Sequence, residues 1–299
     1  MLHNRIIALA WYNTKQMTQV KNRHWSSKFI EYITNIDKVW LLIWGAIFIS
    51  FVLLDSFFQA FYPHRNVFYQ FTIHSHSIIL PIIQNGTFLG VTLLKYSGIL
   101  LSYFYARKKF PKDYTLHIAL LFTLLADTIL TFDSISAFGV LAFCFAQYFH
   151  IARFAKVRPK FFISWTFFML LLLIFGWFNQ IPDMYVLAFI YATSLLQNLI
   201  LTHRWWKKSK SNPAASDREI IASTCAFAGF ILFILCDLNV AVSYLSVTAV
   251  LPIALARYAN FFAWLFYYPS QVLISNSSTS KIQKPKNSKK VENSKETML

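Results

Sequence analysis

A chain of 299 residues that is 57% hydrophobic and only 13% charged cannot be a soluble globule, in which the charged fraction is typically about twice as large. The net charge of +16 makes no case for nucleic-acid binding, because the basic residues sit between apolar runs and no folded soluble domain supplies a groove reader. With 31 Phe among its residues, the composition is that of a polytopic membrane protein.

Residues 1–38 are mixed polar and basic and are expected to be a cytoplasmic segment. No short apolar stretch with a small-residue cleavage site stands near the start, so the first span is expected to act as a signal anchor. Apolar stretches long enough for spans of roughly 20 residues follow at 39–61, 78–105, 115–132, 137–155, 161–178, 184–203, 219–244 and 248–275. They lack two-residue alternation, and in lipid only helices or closed barrels satisfy their own backbone groups. The expected fold is therefore an all-α polytopic bundle of about eight transmembrane helices over residues 39–275.

The loop at 62–77 carries His64, His74 and His76, but with no further ligand of the right kind nearby the reading is interfacial polarity, and no metal is expected. Residues 276–299 are rich in Ser, Asn and Lys and read as a disordered tail held near the membrane by charge. Arg and Lys cluster before the first span and after the second (Arg107, Lys108, Lys109, Lys112), fourth (Arg153, Lys156, Arg158, Lys160) and sixth (Arg204, Lys207, Lys208, Lys210). They cluster again in the tail, whereas the intervening loops hold only Arg65. That alternation predicts both termini in the cytoplasm. Cys144, Cys225 and Cys236 all fall within spans, where they read as small packing residues.

Two acids stand deep inside apolar runs: Asp127 in Leu-Leu-Ala-Asp-Thr-Ile-Leu and Asp237 in Ile-Leu-Cys-Asp-Leu-Asn-Val. An isolated acid near the bilayer centre costs roughly 2.5–3.5 kcal/mol on insertion scales, so each needs a partner, a water-filled cavity or a bound proton. By depth along alternating helices, Asp55 and Arg257 fall in the same outer layer as this pair. A buried salt bridge would account for such a layer, and so would an active site.

In the eighth span Arg257, Asn260, Trp264, Tyr268, Gln271 and Ser275 recur at helical spacing and predict an inward polar face, which Pro269 interrupts. Lys95 is an intramembrane cation of the second span, suited to phosphate or to a carboxylate. Tyr191, Ser194 and Asn198 share a face of the sixth span, and Gln147 and His150 stand at i and i+3 in the fourth, with His150 expected near the interface.

Over about residues 90–275 these features resemble the YhhN-like lysoplasmalogenase family of eight-span membrane proteins, which hydrolyse the vinyl-ether bond of lysoplasmalogens. The family pattern has a Lys in the second span, which Lys95 resembles, then Gly-Asp with Leu-rich sequence and a Phe-x-x-Gly helix start. Here these read Leu-Leu-Ala-Asp127-Thr-Ile-Leu and Phe138-Gly139-Val-Leu-Ala-Phe143. The later Phe-x-x-Ser-Asp is matched by Phe233-Ile-Leu-Cys-Asp237, and Tyr-Tyr-x-x-Gln-x-Leu-Ile by Tyr267-Tyr268-Pro-Ser-Gln271-Val-Leu-Ile274. The chain departs at Ala126, where the pattern has Gly, at Cys236, often Ser, and at Gln147, usually His.

The resemblance implies a lysophospholipid substrate, no cofactor, and a multi-pass place in the cell membrane. Vinyl-ether hydrolysis needs a general acid to protonate carbon and a second carboxylate to oppose the positive charge and orient water. Asp127 and Asp237 are the expected catalytic pair. Tyr191, Tyr268 and Gln271 would position substrate or water, and Lys95 or Arg257 would hold the phosphate. A proton- or ion-coupled transporter, or a lipid-binding protein with a structural polar layer, would use the same residue types.

Overall fold

The computed structural model describes residues 38–61, 86–132, 136–155, 159–247 and 250–278. Among these the apolar runs form eight helices and no strand. They are α1 (Lys38–Phe61), α2 (Gly86–Lys109), α3 (Tyr114–Phe132), α4 (Ala137–Ala155), α5 (Pro159–Phe178), α6 (Asp183–Ser211), α7 (Asp217–Val247) and α8 (Ile253–Ser275). Residues 114–131, 137–155, 183–211 and 217–246 are each long and apolar enough to cross a membrane, and Lys38–Leu54 and Ile163–Phe178 are shorter apolar runs. The chain is a multi-pass helical membrane protein. The predicted start of the second span and the histidine loop lie outside the described residues, as do the first 37 residues and those after 278.

Contacts between helices run in a closed circuit, α2 to α3, α4, α6, α7, α8 and back to α2. The other two helices stand outside that ring, α1 against α2 and α8, α5 against α6. Position in the circuit follows from sequence. α5 is apolar on every side and leaves Ile163, Phe167, Phe175, Trp177 and Phe178 exposed, as a helix facing lipid would. The ring helices instead bury small and polar residues, including Ala119, Ala126, Ala142, Ala146, Ala226 and Ala263. Small side chains let backbones approach where lipid offers no hydrophobic drive between helices. At Gly229 a Cβ would lie 3.2 Å from the Ser270 carbonyl oxygen, so this glycine sets the closest approach of α7 to α8.

One end of the bundle carries the charge. Arg107, Lys108 and Lys109 occupy the last turn of α2, Arg153 that of α4, and Lys208 and Lys210 that of α6, where cations also favour the helix dipole. Helix α6 runs past the predicted end of its span at residue 203, so Arg204, Lys207, Lys208 and Lys210 ride on the helix instead of a loop. Arg153 lies 3.3 Å from Asp113, the residue that starts α3 by accepting the Leu116 amide at 3.1 Å. Residues 276–278 differ from the expected tail: Asn276, Ser277 and Ser278 are buried. Tyr105 donates to Asn276 Oδ1 at 2.7 Å, Arg153 to the Ser277 hydroxyl at 2.9 Å, and Ser278 to Asp113 at 2.6 Å. Their short polar side chains satisfy a polar pocket that an apolar segment would leave unpaired.

Candidate functional site

Two helix faces bring the acids inward. On α3, Leu116, Leu120, Thr123 and Asp127 recur at three- and four-residue spacing and are all buried. On α7, Ala226, Phe230, Phe233 and Asp237 repeat the same spacing, the first three buried and Asp237 half-buried. The apolar members of each stripe drive that face into the bundle, and the carboxyl group is carried in with them. The side chains of Leu116, Leu120, Phe230, Phe233, Cys236 and Tyr267 belong to one core cluster, so both acids sit at the edge of the same packed centre.

Each acid is held by a tyrosine from another helix. Tyr267 of α8 donates its hydroxyl to Asp127 Oδ2 at 2.5 Å, and Tyr191 of α6 donates to Asp237 Oδ2 at 2.6 Å. Three ring contacts join the two pairs. Tyr267 meets Phe233 edge-on with centroids 5.5 Å apart, Phe233 meets Phe143 at 6.2 Å, and Phe143 meets Tyr191 at 5.6 Å. Cys236, next to Asp237, is buried in the same core cluster as Tyr267. A hydrogen bond to each acid satisfies one oxygen and leaves the other oxygen of each group to act on a ligand.

The predicted site residues separate into three sets. Tyr191 meets Asp237 directly, and Asp127 is joined to that pair through Tyr267 and the Phe233 and Phe143 rings. Tyr268 and Gln271 are buried but turned elsewhere: the Tyr268 hydroxyl lies 3.3 Å from the Trp44 carbonyl oxygen, and Gln271 Nε2 lies 3.5 Å from the Ser270 hydroxyl. The side chains of Lys95, Arg257 and Asp55 lie outside the described residues.

Tyr267 is the residue that sequence reasoning missed. It shares its stripe with Ala256, Ala263 and Ile274, an apolar-looking face, whereas the polar stripe drew attention to its neighbour. Counting back in steps of three and four from the buried Ile274 finds it. His150, expected near the interface, is fully enclosed, with its ring 5.3 Å from that of Phe230 and 6.1 Å from that of Phe154.

Neither a curated protein nor a solved structure matches the chain. The family model that does match, the YhhN family, covers residues 91–278, which takes in both acids and both tyrosines, and the chain belongs to the YhhN family.

Proposed function

We propose that this protein is a membrane hydrolase of the lysoplasmalogenase type, acting in the cell membrane on the vinyl-ether bond of alkenyl lysophospholipids. The observation that carries this reading is that two intramembrane acids, Asp127 and Asp237, are each bound by a tyrosine hydroxyl at the edge of one packed core, in a helical bundle of the YhhN family. Two carboxyl groups in unequal surroundings are a recurrent way to divide acid and base work. Asp127 is the more enclosed of the two and is assigned the proton donor, while half-buried Asp237 is assigned the group that orients water.

The proton inventory closes. Asp127 protonates the β-carbon of the vinyl ether, which leaves an oxocarbenium ion opposed by the Asp237 carboxylate. Water adds to the α-carbon, the one bonded to the ether oxygen, and gives a proton to Asp237, forming a hemiacetal. Collapse of the hemiacetal sends its hydroxyl proton to Asp127 and the Asp237 proton to the departing glycerol oxygen. The products are an aldehyde and a glycerophospho-base, and both carboxyl groups return to their starting states. Tyr191 and Tyr267 orient the carboxyl groups. Lys95 and Arg257 are assigned the phosphate on charge alone. The alkenyl chain would lie among the Phe-rich helices.

The test is free aldehyde released from an alkenyl lysophospholipid, with choline or ethanolamine headgroup, by purified protein and by folded Asp127→Asn and Asp237→Asn variants. Aldehyde from wild type and from neither variant supports the reading. No aldehyde from folded wild type with either headgroup overturns it.

A further inference from the structure

Below the acid pair, toward the basic end, the interior holds buried polar atoms with no partner among the described residues. Gln147 of α4 and Asn198 of α6 are both fully buried and face each other. Asn198 Nδ2 lies 2.9 Å from the Gln147 main-chain carbonyl oxygen and 2.9 Å from its side-chain oxygen. That main-chain acceptor fixes the Asn198 amide with its nitrogen toward Gln147, so its Oδ1 is turned away. Asn198 Oδ1 and Gln147 Nε2 are then a buried acceptor and a buried donor with nothing to bond. One turn along α4, the buried His150 leaves Nδ1 unbonded as well. A further turn on stands Arg153, at the basic end.

In the other direction along α6, the buried Ser194 hydroxyl donates to the Ile190 carbonyl and keeps its own lone pairs free. Next comes Tyr191, already bonded to Asp237. At about 1.5 Å per residue, Asn198 lies about 10 Å from the level of Tyr191, a gap that a few water molecules span.

An unmade buried hydrogen bond costs about 1–3 kcal/mol. Isolated orphans are tolerated at one point or another, but here a donor and an acceptor between α4 and α6, and an imidazole nitrogen one turn on where α4 meets Phe230 of α7, follow one seam along the inner face of α4. Polar, buried and unpaired groups in a row are what bound water satisfies.

We propose that a file of bound water runs along a seam on the inner face of α4, from Arg153 past His150 to Gln147 and then along α6 past Asn198 and Ser194 to the Tyr191–Asp237 pair, and supplies water to that carboxyl from the basic end of the bundle. The file stands on the seam's own residues. That its water is a reactant rests on the hydrolase reading.

X-ray hydroxyl-radical footprinting of the full chain in lipid nanodiscs tests it, because radicals born from bound water oxidise the side chains beside them. The probe is the water itself. In wild type, Cys144, Leu195 and Phe230, each corrected for its intrinsic reactivity, should be oxidised several-fold faster than Phe51, which is equally buried but packs from α1 on Phe261 of α8 and has no polar side-chain atom. The Gln147→Leu/Asn198→Leu double variant should lose that excess. Replacing both partners of a polar pair by apolar groups is close to neutral for folding. Should it nevertheless fail to fold, the single variant His150→Phe interrupts the file one turn nearer the basic end and is expected to lower the same three signals.

Oxidation of the three side chains no faster than Phe51, or unchanged in the folded variant, overturns the file. A labelled file in a wild type that releases no aldehyde overturns the hydrolase reading and leaves the file standing. Where aldehyde is released, the file as water supply requires the variant to lose kcat at least 10-fold with KM held.

Discussion

The phenol of Tyr267 on α8 reaches Oδ2 of Asp127 on α3 at 2.5 Å, across 140 residues of sequence. Its neighbour Tyr268 is equally buried, yet its hydroxyl lies 3.3 Å from the Trp44 carbonyl oxygen. Two adjacent tyrosines therefore serve different parts of the bundle, one the acid and the other the seat of α1. A hydrogen bond to a carboxyl that charges during reaction is worth about 1.5–3 kcal/mol, or about 10- to 150-fold in rate. Tyr267→Phe should lower aldehyde release by about that factor with the helical signal retained. Tyr268→Phe should leave the rate within about threefold and act on thermal stability, by roughly 0.5–1.5 kcal/mol. The two single variants, assayed together, check the assignment.

Asp113 and Arg153 make the second sharp expectation. Burial raises the Asp113 carboxyl, but the Arg153 guanidinium, the Ser278 hydroxyl, the Leu116 amide and the Thr115 hydroxyl outweigh it, so the group lies below its ordinary 3.8. A depressed folded value means the contribution to stability is complete above about pH 4 and is lost as pH falls through the still lower folded value. Asp113→Asn should therefore be destabilising at pH 7, by about 3–5 kcal/mol, because it leaves Arg153 buried without its counter-charge. The gap between wild type and variant should close only below pH 4. Unfolding in detergent as a function of pH, followed by tryptophan fluorescence, measures both.

Phe233 is the ring that links the two tyrosines, 5.5 Å from Tyr267 and 6.2 Å from Phe143, and it is fully buried. Phe233→Ala should cost about 3–5 kcal/mol from lost packing. It should also lower aldehyde release more than Phe230→Ala does, since Phe230 packs on His150 and Phe233 instead of on a tyrosine that holds an acid. Comparing the two rates at matched folded fraction separates site disruption from general loss of stability.

Most of the helix inventory was legible because length and apolarity are decided locally. The eight helices lie where the apolar runs lie, and the lone acids in those runs are carried inside the bundle with their apolar neighbours. What could not be read was which polar residue meets which. The stripe on α8 predicted Tyr268 as the inward group, yet Tyr267 is the one that reaches an acid, because azimuth about the helix axis is set by the faces of α3 and α7 as well as by α8. The boundary at residue 276 failed for a similar reason. A Ser and Asn run looks like tail until the distant pair Asp113 and Arg153 is known to need hydroxyl partners. His150 reads as interfacial by depth, and only the rings of Phe154 and Phe230 close it off.

Gly98 sits under the ring of Tyr268, where a Cβ would fall 1.8 Å from Cε2. The ring cannot simply yield, because it packs at 5.5 Å against Phe48 and shares a cluster with Trp44 and Tyr105. Alanine would gain up to about 1 kcal/mol of helix propensity over glycine. Overpacking a filled interior costs typically about 1–3 kcal/mol, so the clash is expected to win. Gly98→Ala should lower the thermal midpoint, whereas the same substitution made in a Tyr268→Ala chain, where the space has been cleared, should lower it little further. A double-mutant cycle on the two positions reads that coupling directly. A cycle with no coupling would mean that α2 and α8 pack against each other without the Gly98 and Tyr268 contact.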